Sequence, residues 1–183
     1  MKCNSLISVL TGIIFIASSL SCSNNYNVNP SNKLPPITME GKNTFGCKMN
    51  GEVWLPYKSL GDISTGSVLN FSYNKSNQKF HLTAIHAEKK YKELLQINIQ
   101  LVKEGIYKNY VDSWRSDDVF YSDNDGELKY YIVDSTAIDN QIKITKFDSI
   151  NHIISGEFYF TLYEINYKDT IIVSDGRFDL KLE

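Results

Sequence analysis

The sequence predicts an all-β fold, a single antiparallel β-sandwich or flattened barrel of roughly ten strands, preceded by a signal peptide and a flexible tether. Two observations carry the fold prediction. Aromatic residues make up 13% of the chain, with 12 tyrosines and 9 phenylalanines, a composition that favours strands. Short runs of alternating apolar and polar residues recur between turn signals, as expected for strands with one buried face.

The predicted strands follow one another from residue 44 to the C-terminus. After a first hairpin, TFGCKMNGEVW, the alternating segments in order are VLNFSYN, KFHLTAIHA, LLQINIQL, LKYYIVD, QIKITKF, IISGEFYFTLYE and TIIVSDGRFDLKL. Turn residues separate them, including NKSN before the second alternating segment and SDNDGE before the fourth. The segment AEKKYKELLQ has some helical propensity, but the alternation that follows overrides it.

The first hairpin contains a cysteine, Cys47, far from the other cysteines of the chain. Asn50 and Gly51 form the strongest short hairpin signal, and a two-residue turn there places Cys47 opposite Trp54. A reactive thiol needs a helix N-terminus, a cation or a histidine base to lower its pKa, and no such group is predicted on this face. We therefore expect Cys47 and Trp54 to be structural.

Two glycine positions mark irregular strands. Gly156 lies on the inward face of a long alternating run, which predicts a bulge or a close backbone approach. Asp175 and Gly176 have two interpretations: a two-residue hairpin turn, or a bulge within one long C-terminal strand.

The N-terminus has the features of an export signal. Lys2 precedes the apolar run LISVLTGIIFIASSL, which is short for a membrane span and typical of a signal-peptide core. The run ends in SLSC, which resembles the lipobox of bacterial lipoproteins, with Ser19 in place of the usual aliphatic residue. That resemblance implies acylation of Cys22; the alternative is cleavage near Ser21, giving a soluble periplasmic protein.

The predicted organisation has three parts. Residues 1–21 form a lipoprotein signal peptide, 22–42 the lipidated cysteine and a polar, proline-containing tether, and 43–183 the all-β domain. The expected location is the outer membrane, on the periplasmic face, with the lipid at Cys22 as the membrane contact. Once Cys22 is acylated and Cys3 is removed with the signal, Cys47 is a single thiol and no intramolecular disulfide forms.

Composition also excludes some function classes. The formal net charge is −2, without the clustered basic face of a nucleic-acid-binding protein. No nucleophile elbow, phosphate-binding loop or metalloprotease helix occurs, so we predict a non-enzymatic protein without a cofactor. The alternative of a glycan-active enzyme needs two carboxylates at a defined separation, and the sequence identifies no such pair.

The segment between residues 104 and 131 is the most distinctive part of the sequence. It places aromatic side chains among carboxylates and an arginine, a combination that suits a glycan or another amphipathic ligand. The candidate ligand-binding residues are Tyr107, Tyr110, Trp114, Arg115 and Tyr121. The alternative is that these aromatics are packed away and the protein is a structural subunit of an envelope assembly, with a protein partner and an exposed apolar patch or open strand edge.

Metal binding has little support in the sequence. Three acidic residues near a turn are the candidate calcium ligands: Asp123, Asp125 and Glu127. An EF-hand frame with Gly126 sixth places Tyr121 first and Ile132 twelfth, which excludes that motif. His81 and His86 are an odd number of residues apart, so they face opposite sides of a strand and do not converge on zinc.

Three stretches together resemble a known family. TFGCKMNGEVW, ITKFDSINHIISGEFYFTL and VSDGRFDLKL are similar to a family of Bacteroidetes envelope lipoproteins built on a domain of unknown function. Its members begin with a short strand, an N/D-G turn and a tryptophan, and end with ISGxFxF and GxF strands. The resemblance implies an all-β fold in the cell envelope and no catalytic residues.

Overall fold

The computed structural model describes residues 33–59, 66–88, 91–100, 102–108, 119–125, 127–164, 166 and 169–182; at residues 119, 120, 124, 125 and 127 it describes the backbone alone. The predicted signal peptide and Cys22 lie outside these ranges. The described part of the chain contains twelve strands and no helix, and therefore no helix that could cross a membrane. The all-β prediction is confirmed.

The strands are β1 (Thr44–Met49), β2 (Glu52–Trp54), β3 (Tyr57–Lys58), β4 (Leu69–Asn74), β5 (Lys79–Glu88), β6 (Tyr91–Ile99), β7 (Gly105–Lys108), β8 (Val119–Asp125), β9 (Glu127–Val133), β10 (Gln141–Asp148), β11 (Ile153–Glu164) and β12 (Thr170–Lys181).

All twelve strands belong to one sheet that curls into a half-barrel. The order is β2-β1-β12-β11-β9-β8-β6-β5-β3, with β4 beside β5, and with β10 between β11 and β7. Neighbours are antiparallel except β3, which pairs in parallel with β5. Sequence alternation missed β3 and β7 because two- and four-residue strands are too short to show it. It also missed β8, whose polar SDND end has the composition of a turn.

The curl brings the concave faces of distant strands together. Phe80 on β5 stacks against Phe178 on β12, with ring centroids 5.8 Å apart, although these strands are not neighbours in the sheet. Both rings are at most 2% exposed. The core therefore lies inside the half-barrel, lined by the alternating apolar residues of β5, β6, β11 and β12.

The C-terminal strand carries a bulge. Its pairing with β11 shifts register between Phe158 and Phe160, and its pairing with β1 shifts between Gly46 and Lys48. Asp175 lies at this point with φ 52°, a conformation that non-glycine residues seldom adopt. Of the two interpretations of Asp175-Gly176, the bulge within one long strand is correct.

Two glycines on neighbouring strands each accommodate a phenylalanine ring. A Cβ atom on Gly156 would lie 2.6 Å from Phe178 Cζ, and one on Gly176 would lie 2.3 Å from Phe158 Cδ2. The pairs are reciprocal, because Gly156 is opposite Phe178 and Phe158 is opposite Gly176 in the β11–β12 ladder. The close approach predicted at Gly156 is confirmed.

Residues 33–43, here called the strap, run over the outer side of β1 and β12. Glu40, Gly41 and Lys42 each donate a backbone N–H to the Asp179 carboxylate, at 2.8–3.2 Å, and the Thr38 hydroxyl donates at 2.6 Å. The segment predicted as a flexible tether, residues 22–42, therefore contacts the sheet through Thr38 and residues 40–42. The polar composition of this segment hid the fact that its backbone groups have a buried acceptor.

Candidate functional site

The first hairpin has the register predicted from its turn. Cys47 pairs with Trp54, and Asn50 and Gly51 at the turn both have positive φ. Cys47 is 0% exposed, and burial together with the nearby Glu93 carboxylate raises the pKa of its thiol. The thiol is therefore neutral and enclosed, which fits a packing residue rather than a nucleophile.

A buried carboxylate links three strands of the sheet. Glu93 on β6 is 8% exposed and accepts hydrogen bonds from Trp54 Nε1 at 2.5 Å and from the Tyr121 hydroxyl. Burial and the bond to Glu93 raise the pKa of Tyr121. The same two causes raise the pKa of Tyr91. These phenols stay protonated as donors to a single acceptor that links β2, β6 and β8.

This network corrects one predicted ligand residue. Tyr121, expected to offer its ring to a ligand, is 3% exposed and packs against Tyr131 with ring centroids 5.5 Å apart. Its side chain points into the core because it continues the inward set of β8, beside Leu95 on β6.

The remaining predicted ligand residues do not form a described site. Tyr107 on β7 is partly buried against the core, and its hydroxyl accepts from Lys103 N and donates to Lys103 O. Tyr110, Trp114 and Arg115 lie outside the described residues. The two described members are on different branches of the sheet, since β7 pairs with β10 and β8 pairs with β6 and β9.

The candidate calcium residues close the β8–β9 hairpin. Asp123 is opposite Lys129, and Asp125 is opposite Glu127; the side chains of Asp125 and Glu127 lie outside the description. Within the described residues no group of three potential ligands converges as a metal site.

The two β5 histidines have different partners. His81 is hydrogen-bonded with Asn98 at 2.6 Å and with Thr83 at 3.0 Å. His86 is hydrogen-bonded with the Leu55 carbonyl at 2.9 Å and lies beside Tyr57.

A groove lies on the outer side of the sheet, where the strap passes the β12 bulge. Its volume is about 360 Å³, within the usual range of small-molecule sites. The strap forms one wall, the outer face of β10 and β11 forms the other, and the bulge closes one end. The lining residues are Ile37, Gln141, Lys143, Glu157, Phe158, Tyr159, Asp175, Gly176 and Arg177.

The groove is amphipathic and carries one distinctive cation. Lys143 pairs with Glu157 across the β10–β11 ladder at 3.8 Å, and Asp175 pairs with Lys48 at 2.9 Å. That Lys48 contact, together with the Arg177 charge, lowers the pKa of Asp175 and keeps it ionised. Among the described residues, Arg177 bonds to two carbonyl oxygens, those of Asp175 and Pro35, and to no carboxylate.

A second hollow, lined by residues that include Tyr73, Phe147 and His152, has a volume of only about 20 Å³. This is room for little more than a water molecule. The groove beside the strap is thus the stronger candidate site in the described structure.

Sequence reasoning missed the groove because its parts are distant in sequence. Strap, β10, β11 and bulge meet only through strand pairing and the Asp179 contacts. Two signals were present: the Asp175-Gly176 bulge, a feature that often occurs beside functional sites, and the proline-containing segment before the first strand.

The described residues thus form one curled all-β sheet with an amphipathic groove on its outer side. The family model described as a domain of unknown function (DUF6252) matches residues 70–179, more than half of the chain, and the protein belongs to that family. No curated protein and no solved structure matches the chain. The resemblance to a family of unknown function is confirmed to that extent.

Proposed function

We propose that this protein is a cell-envelope lipoprotein, acylated at Cys22 and held at the periplasmic face of the outer membrane, whose β domain is a non-catalytic ligand-binding module. The anchor rests on the signal-like residues 1–21 and on SLSC before the tether. The sequence motifs shared with Bacteroidetes envelope lipoproteins support the same location.

The observation that carries the binding role is the groove beside the strap. It is concave, has a ligand-sized volume, and combines an aromatic ring, an aliphatic side chain and charged groups. Its walls come from three strands and the strap, so its shape is fixed by the fold rather than by one loop. A module of this kind needs no reactive residue.

A binding role without catalysis fits the burial and hydrogen bonding of the potentially reactive side chains among the described residues. Cys47 is enclosed and its pKa is raised, and Glu93 is engaged by Trp54 and Tyr121. A general acid or base must instead reach the substrate proton. In the groove, Glu157 and Asp175 each have a lysine partner.

An assembly subunit is the second candidate, favoured by an exposed apolar strip on the convex face. Leu128 and Tyr130 on β9 are 51% and 46% exposed, and Ile172 on β12 is 44% exposed. The pairs Ile132–Tyr163 and Thr161–Ile172 connect these residues across the sheet. Exposed patches of this kind mark protein contacts.

The anchor is tested by Cys22→Ser in the full-length chain, with Cys3→Ser as the matched control. We expect Cys22→Ser to abolish incorporation of labelled palmitate and to release the protein from the membrane fraction, because one residue carries the lipid. Cys3→Ser should leave both unchanged. Tight membrane association of Cys22→Ser, or labelling that persists, would contradict the anchor.

A further inference from the structure

We propose that the groove beside the strap binds an anionic saccharide, a sugar bearing carboxylate or sulfate groups, with Arg177 as the anion-binding residue. This rests on the proposed function of the domain as a ligand-binding module and names the ligand class of that site. The inference follows from three properties of the groove: its cation, its apolar walls and its rigidity.

Arg177 supplies the cation. Its Nε donates to Asp175 O at 3.1 Å and its Nη1 to Pro35 O at 3.4 Å, so the guanidinium is held in place by bonds to the bulge and the strap. Neither contact neutralises its charge, and the guanidinium has five N–H donors, so donors remain for a ligand. A planar guanidinium is the side chain best suited to bind a carboxylate or sulfate through two parallel bonds.

The other charges of the groove are arranged to leave this role to Arg177. Glu157 is matched by Lys143, and Asp175 by Lys48, so each carboxylate has its own lysine partner. A ligand anion at Arg177 therefore meets a site whose neighbouring negative charges are already compensated. A cationic ligand would have to displace one of these lysines.

The walls fit a sugar ring. Tyr159 and Gln141 are directly opposite each other in the β10–β11 ladder, which places an aromatic face beside an amide. Ile37 covers the other side from the strap, with 53% of its surface exposed. Saccharides bind to such surfaces by stacking their C–H faces on aromatic rings while amide and charged groups bond to hydroxyls.

The site is preformed. The strap wall is fixed by the contacts of Thr38 and the following backbone with Asp179, and the bulge is fixed by pairing on both sides of β12. A ligand therefore does not have to order the walls, and less binding free energy is lost on association.

The experiment titrates full-length protein, purified in mild detergent, with three oligosaccharides of matched length: oligogalacturonate, sulfated galactan and neutral galactan. Calorimetry should show the anionic saccharides binding about tenfold or more tightly than galactan, because a bidentate charged contact contributes a factor of this order. Comparing oligogalacturonate, which carries carboxylates alone, with sulfated galactan, which carries sulfates alone, distinguishes carboxylate from sulfate as the anion. Binding should weaken as salt is raised.

Arg177→Gln should reduce the affinity for the preferred anionic saccharide to that for galactan. The matched control is Lys92→Gln, which removes an exposed cation from β6 and should change nothing. Tyr159→Ala should lower the affinity for both anionic and neutral saccharides, since stacking of a sugar on an aromatic ring does not depend on charge. If Arg177→Gln fails to fold, as judged by circular dichroism, two other variants of groove-lining residues are titrated instead. The saccharide affinities of Lys143→Gln and Tyr159→Ala then decide whether the saccharide binds in the groove.

Equal affinity for anionic and neutral saccharides, no binding of any of the three, or a folded Arg177→Gln variant that binds as the parent does would each overturn the proposal. These outcomes do not bear on the lipid anchor. If no saccharide binds in the groove, the membrane fractionation of Cys22→Ser still tests the anchor. If the fractionation contradicts the anchor, the titration still tests the groove.

Discussion

Asp179 lies on the outer side of β12, where a carboxylate is normally solvated, yet it is 1% exposed. Besides the four strap bonds, it accepts a hydrogen bond from Ser155 Oγ at 2.8 Å. Consecutive backbone N–H groups form an anion-binding concavity, which Gly41 makes possible with its φ of 73°. Burial alone would raise the pKa of Asp179, but Thr38, Gly41 and Ser155 among its donors hold it at about 2.

Asp179→Asn should lower the free energy of unfolding near neutral pH by about 2 kcal/mol. A neutral amide cannot replace the carboxylate in its charge-assisted hydrogen bonds, and losing such bonds has a cost of this order. Because the folded-state pKa is about 2 and the ordinary value is 3.8, the ionised group stabilises the fold above about pH 4. That contribution is lost as the pH falls towards 2. In urea unfolding, the difference in free energy of unfolding between the parent and Asp179→Asn should therefore become smaller as the pH falls from about 4 towards 2.

The control for this measurement is Asp139→Asn, which changes an exposed turn residue and should leave unfolding unaltered. A difference between parent and Asp179→Asn that stays constant from pH 7 to pH 2 would show that the strap contacts do not depend on the charge.

Cys47 provides a second measurement at a single residue. Its 0% exposure and raised pKa predict that iodoacetamide does not label it in the folded protein and does label it in denaturant. Ser76→Cys, in an exposed turn, is the control that should label rapidly without denaturant. Rapid labelling of native Cys47 would contradict the packing role of the hairpin.

At the scale of elements, the long β11–β12 pair is the centre of the sheet, and its glycines decide how closely the inner aromatics pack. Phe158 and Phe178 each lie over a glycine of the opposite strand, and their ring centroids are 6.4 Å apart. Larger residues at either glycine would displace a ring from a core in which Phe158 and Phe178 are at most 4% exposed.

Gly176→Ala and Gly156→Ala should each destabilise the protein by about 1–3 kcal/mol, the usual penalty of overpacking. The reason is steric: the new methyl group on Gly156 would also meet the backbone Lys143 O at 2.8 Å, which cannot move aside as a side chain can. Thermal unfolding measures the effect. Gly66→Ala is the control, since no atom of the described residues lies within 4 Å of its new Cβ, and we expect its free energy of unfolding to match that of the parent.

Alternation predicted most strands and the inward faces of β4, β5, β6 and β11, because each strand has one buried side. Turn chemistry predicted the Cys47–Trp54 register, since a two-residue turn fixes strand pairing. The short strands β3 and β7 and the position of Tyr121 depend on contacts between distant segments. The groove also depends on such contacts, which no local pattern encodes.

For the whole molecule, the strap decides where the domain begins. If the chain is anchored at Cys22, only the residues up to about 33 separate lipid and domain, because the strap itself is bound to the sheet. Eleven extended residues span at most about 35–40 Å. The strap is one wall of the groove, so the groove would then lie close to the membrane that holds the lipid of Cys22.

Two truncated chains test this boundary, one starting at Lys33 and the other at Asn43. The chain from Lys33 keeps all four strap donors to Asp179. We expect its urea midpoint to match that of a chain that begins at residue 22 and carries Cys22→Ser.

The chain from Asn43 leaves Asp179 with Ser155 as its one remaining donor among the described contacts. It also exposes the surface over Gly46, against which Pro35 packs. Its free energy of unfolding should fall by several kcal/mol, since a buried carboxylate loses most of its hydrogen bonds. Adding Asp179→Asn should then cost the shorter chain much less than it costs the longer one, because the two changes remove the same interaction. Equal stability of the two chains would show that the strap is dispensable and that the domain begins at the first strand.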